Sequence, residues 1–300
     1  MKPAIDSYCY HRFFGEVYPQ LETDPGQRMT LDDFIGCARA HNVEGVSIES
    51  FMLDDLSPQR VTALRRTLDQ AAFERVWAWG HPRGLESGTA PHALDDLKRH
   101  VDVAQALGAT VMRICAGGRR TRTLSWEEHK ALLVPLLREA ADFAATKNVV
   151  LAIENHIDLL ADELVELLTT LDHPALGVCL DTANNLRMFE DAMVAIEKLT
   201  PYAKAVHLKD ITAFRGSPRD FGFWPSVPLG RGLVDIPKAL ALLRRANYTG
   251  LLALEIDYLH PSYAGEEAAI VQSLSYLRET LDVGTASSSA AATDRAEARS

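Results

Sequence analysis

The chain has 300 residues, 47% of them hydrophobic and 24% charged, with a formal net charge of −10. That length is long for an ordinary domain but normal for one α/β barrel of ~250 residues. No run of about 18 apolar residues occurs, which excludes a membrane-spanning helix, and the negative field disfavours nucleic acid and anionic lipid as partners.

The chain opens on Met1-Lys2-Pro3-Ala4-Ile5-Asp6, too short and too polar for a secretory leader. Cys9, Cys37, Cys115 and Cys179 are scattered, with no CxxC spacing, which predicts buried reduced thiols in a cytoplasmic protein. The first apolar run, Ala4–Cys9, predicts a strand, and Leu31–His41 a helix started by Thr30 and Asp33. Strand Gly45–Glu49, helix Pro58–Ala72, strand Arg75–Gly80, helix His92–Leu107 and strand Thr110–Cys115 follow. Helix Trp126–Lys147 begins after Ser125, with Glu128 completing a capping-box pattern. The second half repeats the alternation: strand Val149–Glu154, helix Ala161–Leu171, strand Gly177–Asp181, helix Met188–Leu199, strand Lys204–Lys209, helix Ile236–Ala246, strand Leu251–Ile256 and helix Glu266–Leu281.

Brief strands that are apolar at nearly every position suit a parallel sheet covered on both faces. Eight of them alternating with eight helices predict one closed (β/α)8 TIM barrel over residues 1–282. No GxGxxG follows the first strand, which disfavours an open dinucleotide-binding sheet. Residues 283–300 turn to Ala, Ser and isolated charges, an expected disordered tail. The rhythm breaks at residues 211–235, a long loop carrying Arg215, Arg219, Phe221, Phe223 and Trp224, which reads as a lid or an interface.

A strand buried on both faces has no reason to finish on a charge. Yet strand five ends on Glu154, strand six on Asp181, strand seven carries His207 and strand eight ends Leu254-Glu255. In a barrel these ends converge on the active-site face. Three crowded carboxylates repel, and one divalent cation resolves that repulsion. Mixed carboxylate and imidazole ligation suits Mn, Co, Zn, Mg or Fe(II).

Residues Lys2 to about Leu281 resemble the sugar phosphate isomerase/epimerase family, a branch of the xylose-isomerase-like barrels. The matching segments are Ile153-Glu154-Asn155-His156, Leu180-Asp181-Thr182-Ala183-Asn184, Val206-His207-Leu208-Lys209-Asp210, Pro228-Leu229-Gly230-Arg231-Gly232-Leu233-Val234-Asp235 and Leu254-Glu255. The resemblance implies that Glu154, Asp181, His207 and Glu255 bind one divalent metal, and that Glu154 and Glu255 exchange protons with the substrate. It also implies a small sugar-like substrate and a homo-oligomer, with a hetero-oligomer as the alternative. Asn184 stands where many epimerases of the family have His, and Ala213 where many have Arg, with Arg215 nearby.

Further expected site residues lie around these ends. His11 follows strand one, Glu49 ends strand two and His81 follows strand three. Arg113 lies inside strand four, where a charge needs a partner. His156 and Lys209 each stand two residues beyond a ligand, on the same side if the extended chain continues. Both are candidates for acid–base work or oxyanion contact. Asn184, Arg215 and Trp224 complete the expected substrate contacts.

The chemistry expected first is isomerisation or epimerisation of a keto sugar through an enediolate. The second is a lyase of the same family: a decarboxylase of a 3-oxo sugar acid such as 3-oxoisoapionate, or the catalytic subunit of a 3-oxo-glycoside C-deglycosidase. A non-catalytic scaffold subunit is the third.

Overall fold

The computed structural model describes residues 1–80 and 83–297, with side chains described to residue 283. Among the described residues the strands are β1 (Lys2–Asp6), β2 (Gly45–Glu49), β3 (Glu74–Ala78), β4 (Val111–Ile114), β5 (Val150–Glu154), β6 (Leu176–Asp181), β7 (Ala203–Leu208) and β8 (Leu251–Leu254). They pair in parallel in sequence order, and β8 closes on β1. The helices between them are α1 (Leu31–Ala40), α2 (Pro58–Gln70), α3 (Ala93–Leu107), α4 (Trp126–Thr146), α5 (Ala161–Leu171), α6 (Ala192–Leu199), α7 (Ile236–Arg245) and α8 (Glu266–Glu297). The predicted (β/α)8 barrel is therefore the observed fold. The tail expected at 283–300 lies almost wholly outside the described side chains.

Alternation along each strand builds two cores. Leu151 and Ile153, Val178 and Leu180, Val206 and Leu208, and Leu252 and Leu254 face outward into the large cluster under the helices. Each such side chain, fully buried, contributes roughly 2 kcal/mol. The residues between them point into the barrel, where Ala4, Val76, Ala152, Cys179, Ala205, Leu251 and Ala253 form a small plug. Small side chains suit that narrow bore. Continuing the same period of two upward, the next inward positions are Asp6, Glu154, Asp181, His207 and Glu255, all buried. The polar floor of the site is thus the layer that follows the apolar plug.

Capping explains several boundaries. Thr30 with Asp33 and Ser125 with Glu128 form the capping boxes that open α1 and α4. β1 ends three residues before its predicted limit because the Asp6 carboxylate accepts the Tyr8 amide at 2.6 Å and starts a 3-10 turn over Ser7–Phe14. α6 starts later than predicted. Phe189, at φ 60, closes a 3-10 turn over Asn184–Met188, and Asp191 then caps α6 through the Met193 and Val194 amides.

The long loop 211–235 is tethered at both ends. Ile211 pairs with Ser226, and Ser226 with Leu259. Buried Asp210 accepts hydrogen bonds from the amides of Gly230, Gly232 and Val234 at 2.8–3.1 Å. A Cβ on Gly232 would lie 2.2 Å from the Asp210 Oδ1, so only glycine allows that grip.

Candidate metal centre

Four ligand atoms, one each from Glu154, Asp181, His207 and Glu255, lie within 4.8 Å of one another, and all four residues are buried. Their strands bring them together: β6 and β7 pair Asp181 directly with His207, and the Glu255 amide donates to the Leu208 carbonyl at 3.2 Å. His207 Nδ1 lies 2.9 Å from Glu255 Oε2 and 3.6 Å from Glu154 Oε1. Asp181 Oδ2, His207 Nδ1 and Glu255 Oε2 are left without hydrogen bonds, although charged neighbours lie close. Orphaned buried polar atoms of this kind, aimed at a common centre, fit a divalent cation.

Charge balance supports the same fit. Asp6, Glu49, Glu154, Asp181, Glu255 and Asp257 are buried here against the fixed cations Arg113, Arg187 and Lys209. A divalent cation removes most of that negative excess. Lys209 Nζ reaches Asp181 Oδ2 at 3.0 Å, Glu255 Oε1 at 3.1 Å and Asp257 Oδ2 at 3.2 Å. Burial works against a charged Glu255, but Lys209 and His207 outweigh it and hold this carboxyl down at about 2. Arg113 spans from Glu49, with which it pairs, to Glu154 Oε2 at 3.1 Å. Burial pushes Glu49 up to about 7 despite that guanidinium.

Above this floor is a cavity of about 490 Å³. Glu154, His156, Asn184, Lys209 and Glu255 line one side, and Tyr8, Tyr18, Phe51 and Phe221 supply an aromatic wall. Glu49 and Arg113 reach it as well. His156 and Lys209 therefore both reach the cavity, His156 alongside Glu154 two residues before it. His156 Nδ1 has no hydrogen-bond partner. Asn184 donates to Glu154 Oε1 at 3.2 Å.

Three expected substrate contacts lie elsewhere. His11 is fully buried and not part of the cavity lining, because the 3-10 turn after β1 carries it away. Its ring stacks on Tyr8 and bonds the Tyr8 carbonyl at 2.9 Å and Glu22 Oε2 at 3.0 Å. Arg215 is exposed against Phe214, on the part of the loop that the Ile211–Ser226 pairing turns outward. Trp224 does not line the cavity either. Its indole is buried and donates to the Pro218 carbonyl at 2.9 Å, anchoring the loop from within, while Phe221 provides the face toward the cavity. His81 lies outside the described residues.

Sequence reasoning missed Arg187, the most elaborate contact in the site. It makes a two-pronged bond to Asp257 at 2.6 and 3.0 Å, donates to Asn184 Oδ1 at 3.1 Å and to the Trp224 carbonyl at 2.9 Å, and lies 4.5 Å from the Phe221 ring centroid. Asp257 is its buried partner. Asp6 and the two tyrosines were also missed. The one available signal was for Asp6, two residues beyond inward-facing Ala4.

Asp158, four residues beyond Glu154, is fully buried with neither carboxylate oxygen hydrogen-bonded. Burial pushes it up to about 7, with Arg122 opposing. The folded protein therefore keeps a proton that the unfolded chain releases near pH 4. The contribution of Asp158 to stability falls as pH rises from about 4 to 7 and then levels off. Asp158→Asn is expected to stabilise the protein at pH 8 by up to ~4 kcal/mol, and to lose much of that gain at pH 5. Urea unfolding at the two pH values checks this, and an equal gain at both would contradict it.

Residues 36–280 match the family described as xylose isomerase-like TIM barrel. A curated relative, the 3-oxo-isoapionate decarboxylase of Pectobacterium atrosepticum, is 30% identical over 152 residues, which span 50% of this chain and 53% of that protein. Two solved structures share the fold. An L-ribulose 3-epimerase superposes with a TM-score of 0.73 at 13% identity, covering 97% of each chain. A xylose isomerase-like TIM barrel protein from Mycobacterium smegmatis in complex with magnesium does so with a TM-score of 0.68 at 18% identity, covering 93% of this chain and 96% of that one. Among the described residues no helix is long and apolar enough to cross a membrane.

Proposed function

The chain belongs to the xylose isomerase-like TIM barrel family, and on that premise we propose that it is a divalent-metal-dependent enzyme that moves a proton beside the carbonyl of a keto sugar or sugar derivative. The convergence of Glu154, Asp181, His207 and Glu255 on one buried point carries this reading. Those four side chains would hold the cation. When bound, it supplies Lewis-acid polarisation of a carbonyl oxygen, which lowers the cost of an enediolate.

The remaining residues divide the work. Lys209 is a fixed ammonium among Asp181, Glu255 and Asp257, so it limits carboxylate repulsion and faces developing negative charge. His156 lines the cavity and serves as the proton carrier. The wall of Tyr8, Tyr18, Phe51 and Phe221 suits the C–H face of a sugar and excludes water. His156→Ala is expected to lower turnover by about 10²–10⁴-fold with metal content unchanged. Loss of metal along with activity would instead make His156 part of the cation site.

A second reading is decarboxylation of a 3-oxo sugar acid. The similarity to the 3-oxo-isoapionate decarboxylase favours it, as do Arg113, Arg187 and Lys209 lining the cavity, which suit a substrate carboxylate. The two outcomes separate in one experiment. Metal-loaded protein is incubated in deuterated water with candidate ketoses and with 3-oxo sugar acids. Deuterium entering a ketose carbon supports isomerase or epimerase chemistry. Carbon dioxide release without exchange into ketoses supports the lyase. Neither signal, in protein that takes up no metal on loading, would leave a scaffold subunit.

A further inference from the structure

We propose that Asp6 on β1 is a positioning residue that fixes the tautomer of His207, so that Nδ1 is the nitrogen offered to the cation; this rests on the metal reading above and extends it across the barrel.

The His207 ring lies between two acidic sides. Nδ1 faces Glu255 and Glu154, whereas Nε2 faces Asp6 Oδ2 at 3.4 Å. Asp6 Oδ1 is already occupied by the Tyr8 amide. Neither Asp6 Oδ2 nor His207 Nε2 has a hydrogen bond, and both residues are sealed from solvent. Two orphaned atoms of complementary type thus confront each other, at a distance that a small tilt of the ring closes.

A neutral imidazole has one lone pair and one N–H. If the cation takes the lone pair on Nδ1, the proton sits on Nε2 and needs a buried acceptor. Besides the carboxylates, the Cys179 thiol, a weak acceptor, also interacts with the ring. The Asp6 carboxylate is the strong one. It also lies on the strand that closes the barrel against β8, so β1 helps to set a ligand on β7 without touching the cation.

Asp6→Asn tests this without removing the turn. The amide oxygen can still accept the Tyr8 amide, which leaves an NH₂ donor facing Nε2. The ring then favours the tautomer with its proton on Nδ1, where the cation needs a lone pair. We expect Asp6→Asn to bind Co²⁺ about 10–100-fold more weakly than wild type in a chelator competition, with an unchanged circular dichroism spectrum. Cys179→Ala should stay within about threefold. In Zn²⁺-loaded wild type, long-range ¹H–¹⁵N spectra should place the His207 ring proton on Nε2. A ring proton on Nδ1 there, or Asp6→Asn affinity equal to wild type, overturns the assignment while leaving the metal site standing. Wild-type protein that binds neither ion removes the metal site and this inference together.

Discussion

Asp181→Asn is expected to abolish metal binding and to lower turnover by about 10³-fold or more, while the barrel stays folded. The two oxygens of Asp181 have separate jobs. Oδ1 accepts from the Ala183 and Asn184 amides at 2.8 and 2.9 Å, which shapes the turn after β6. Oδ2 faces the ligand cluster and Lys209. Asparagine keeps the first job through its amide oxygen. It replaces the second oxygen with a donor, which cannot bind a cation and opposes the ammonium of Lys209. Metal analysis of purified protein and circular dichroism together check the outcome. A fully metal-loaded Asp181→Asn protein would remove Asp181 from the ligand set.

Arg187→Met is expected to cost about 3 kcal/mol of stability, the lower end of what breaking a buried ion pair costs. Arg187 and Asp257 are only 3% and 4% exposed in their side chains, so solvent screening does not blunt the loss. Asp257 keeps partners in Ser226 at 2.6 Å and Lys209 at 3.2 Å, which is why the lower end applies. The Trp224 carbonyl would lose its donor and Phe221 the cation over its ring. Turnover should therefore fall together with stability. Arg187→Lys should recover only part of either, because an ammonium cannot make the two-pronged bond. Urea unfolding is the measurement; a change below 1 kcal/mol with an unaltered slope would show that the pair is not held as described.

How far the sequence alone reaches depends on the physics at each position. The barrel was legible because a strand with a helix packed outside and side chains packed inside must be apolar at almost every residue. The cluster was legible for the same reason inverted, since Glu154, Asp181 and Glu255 interrupt that apolarity at matching strand ends. His156 and Lys209 followed from the two-residue period. That argument fails once the chain leaves the strand. His11 lies beyond Asp6, whose carboxylate coils the backbone, and no pattern in Ser7-Tyr8-Cys9 announces the change. Trp224 looked like a lid because aromatics in long loops often are, but its indole is needed to fill the loop's own interior. Arg187 stands in a short 3-10 turn, where neither period applies, and its partner Asp257 is 70 residues away. A contact of that separation leaves no local trace.

The clasp formed by Asp210 on Gly230, Gly232 and Val234 fastens the far end of the 211–235 segment right beside where it begins. Between those two anchor points, residues 221–226 are tied to the acidic floor, where the Trp224 carbonyl accepts from Arg187 and Ser226 bonds Asp257, whereas residues 215–220 are exposed. Replacements of the side chains at residues 215–217, which are exposed, are expected to leave His207 and Lys209 in place. The exposed stretch leading to Phe221 can thus vary while the buried cluster of Glu154, Asp181, His207 and Glu255 keeps its geometry.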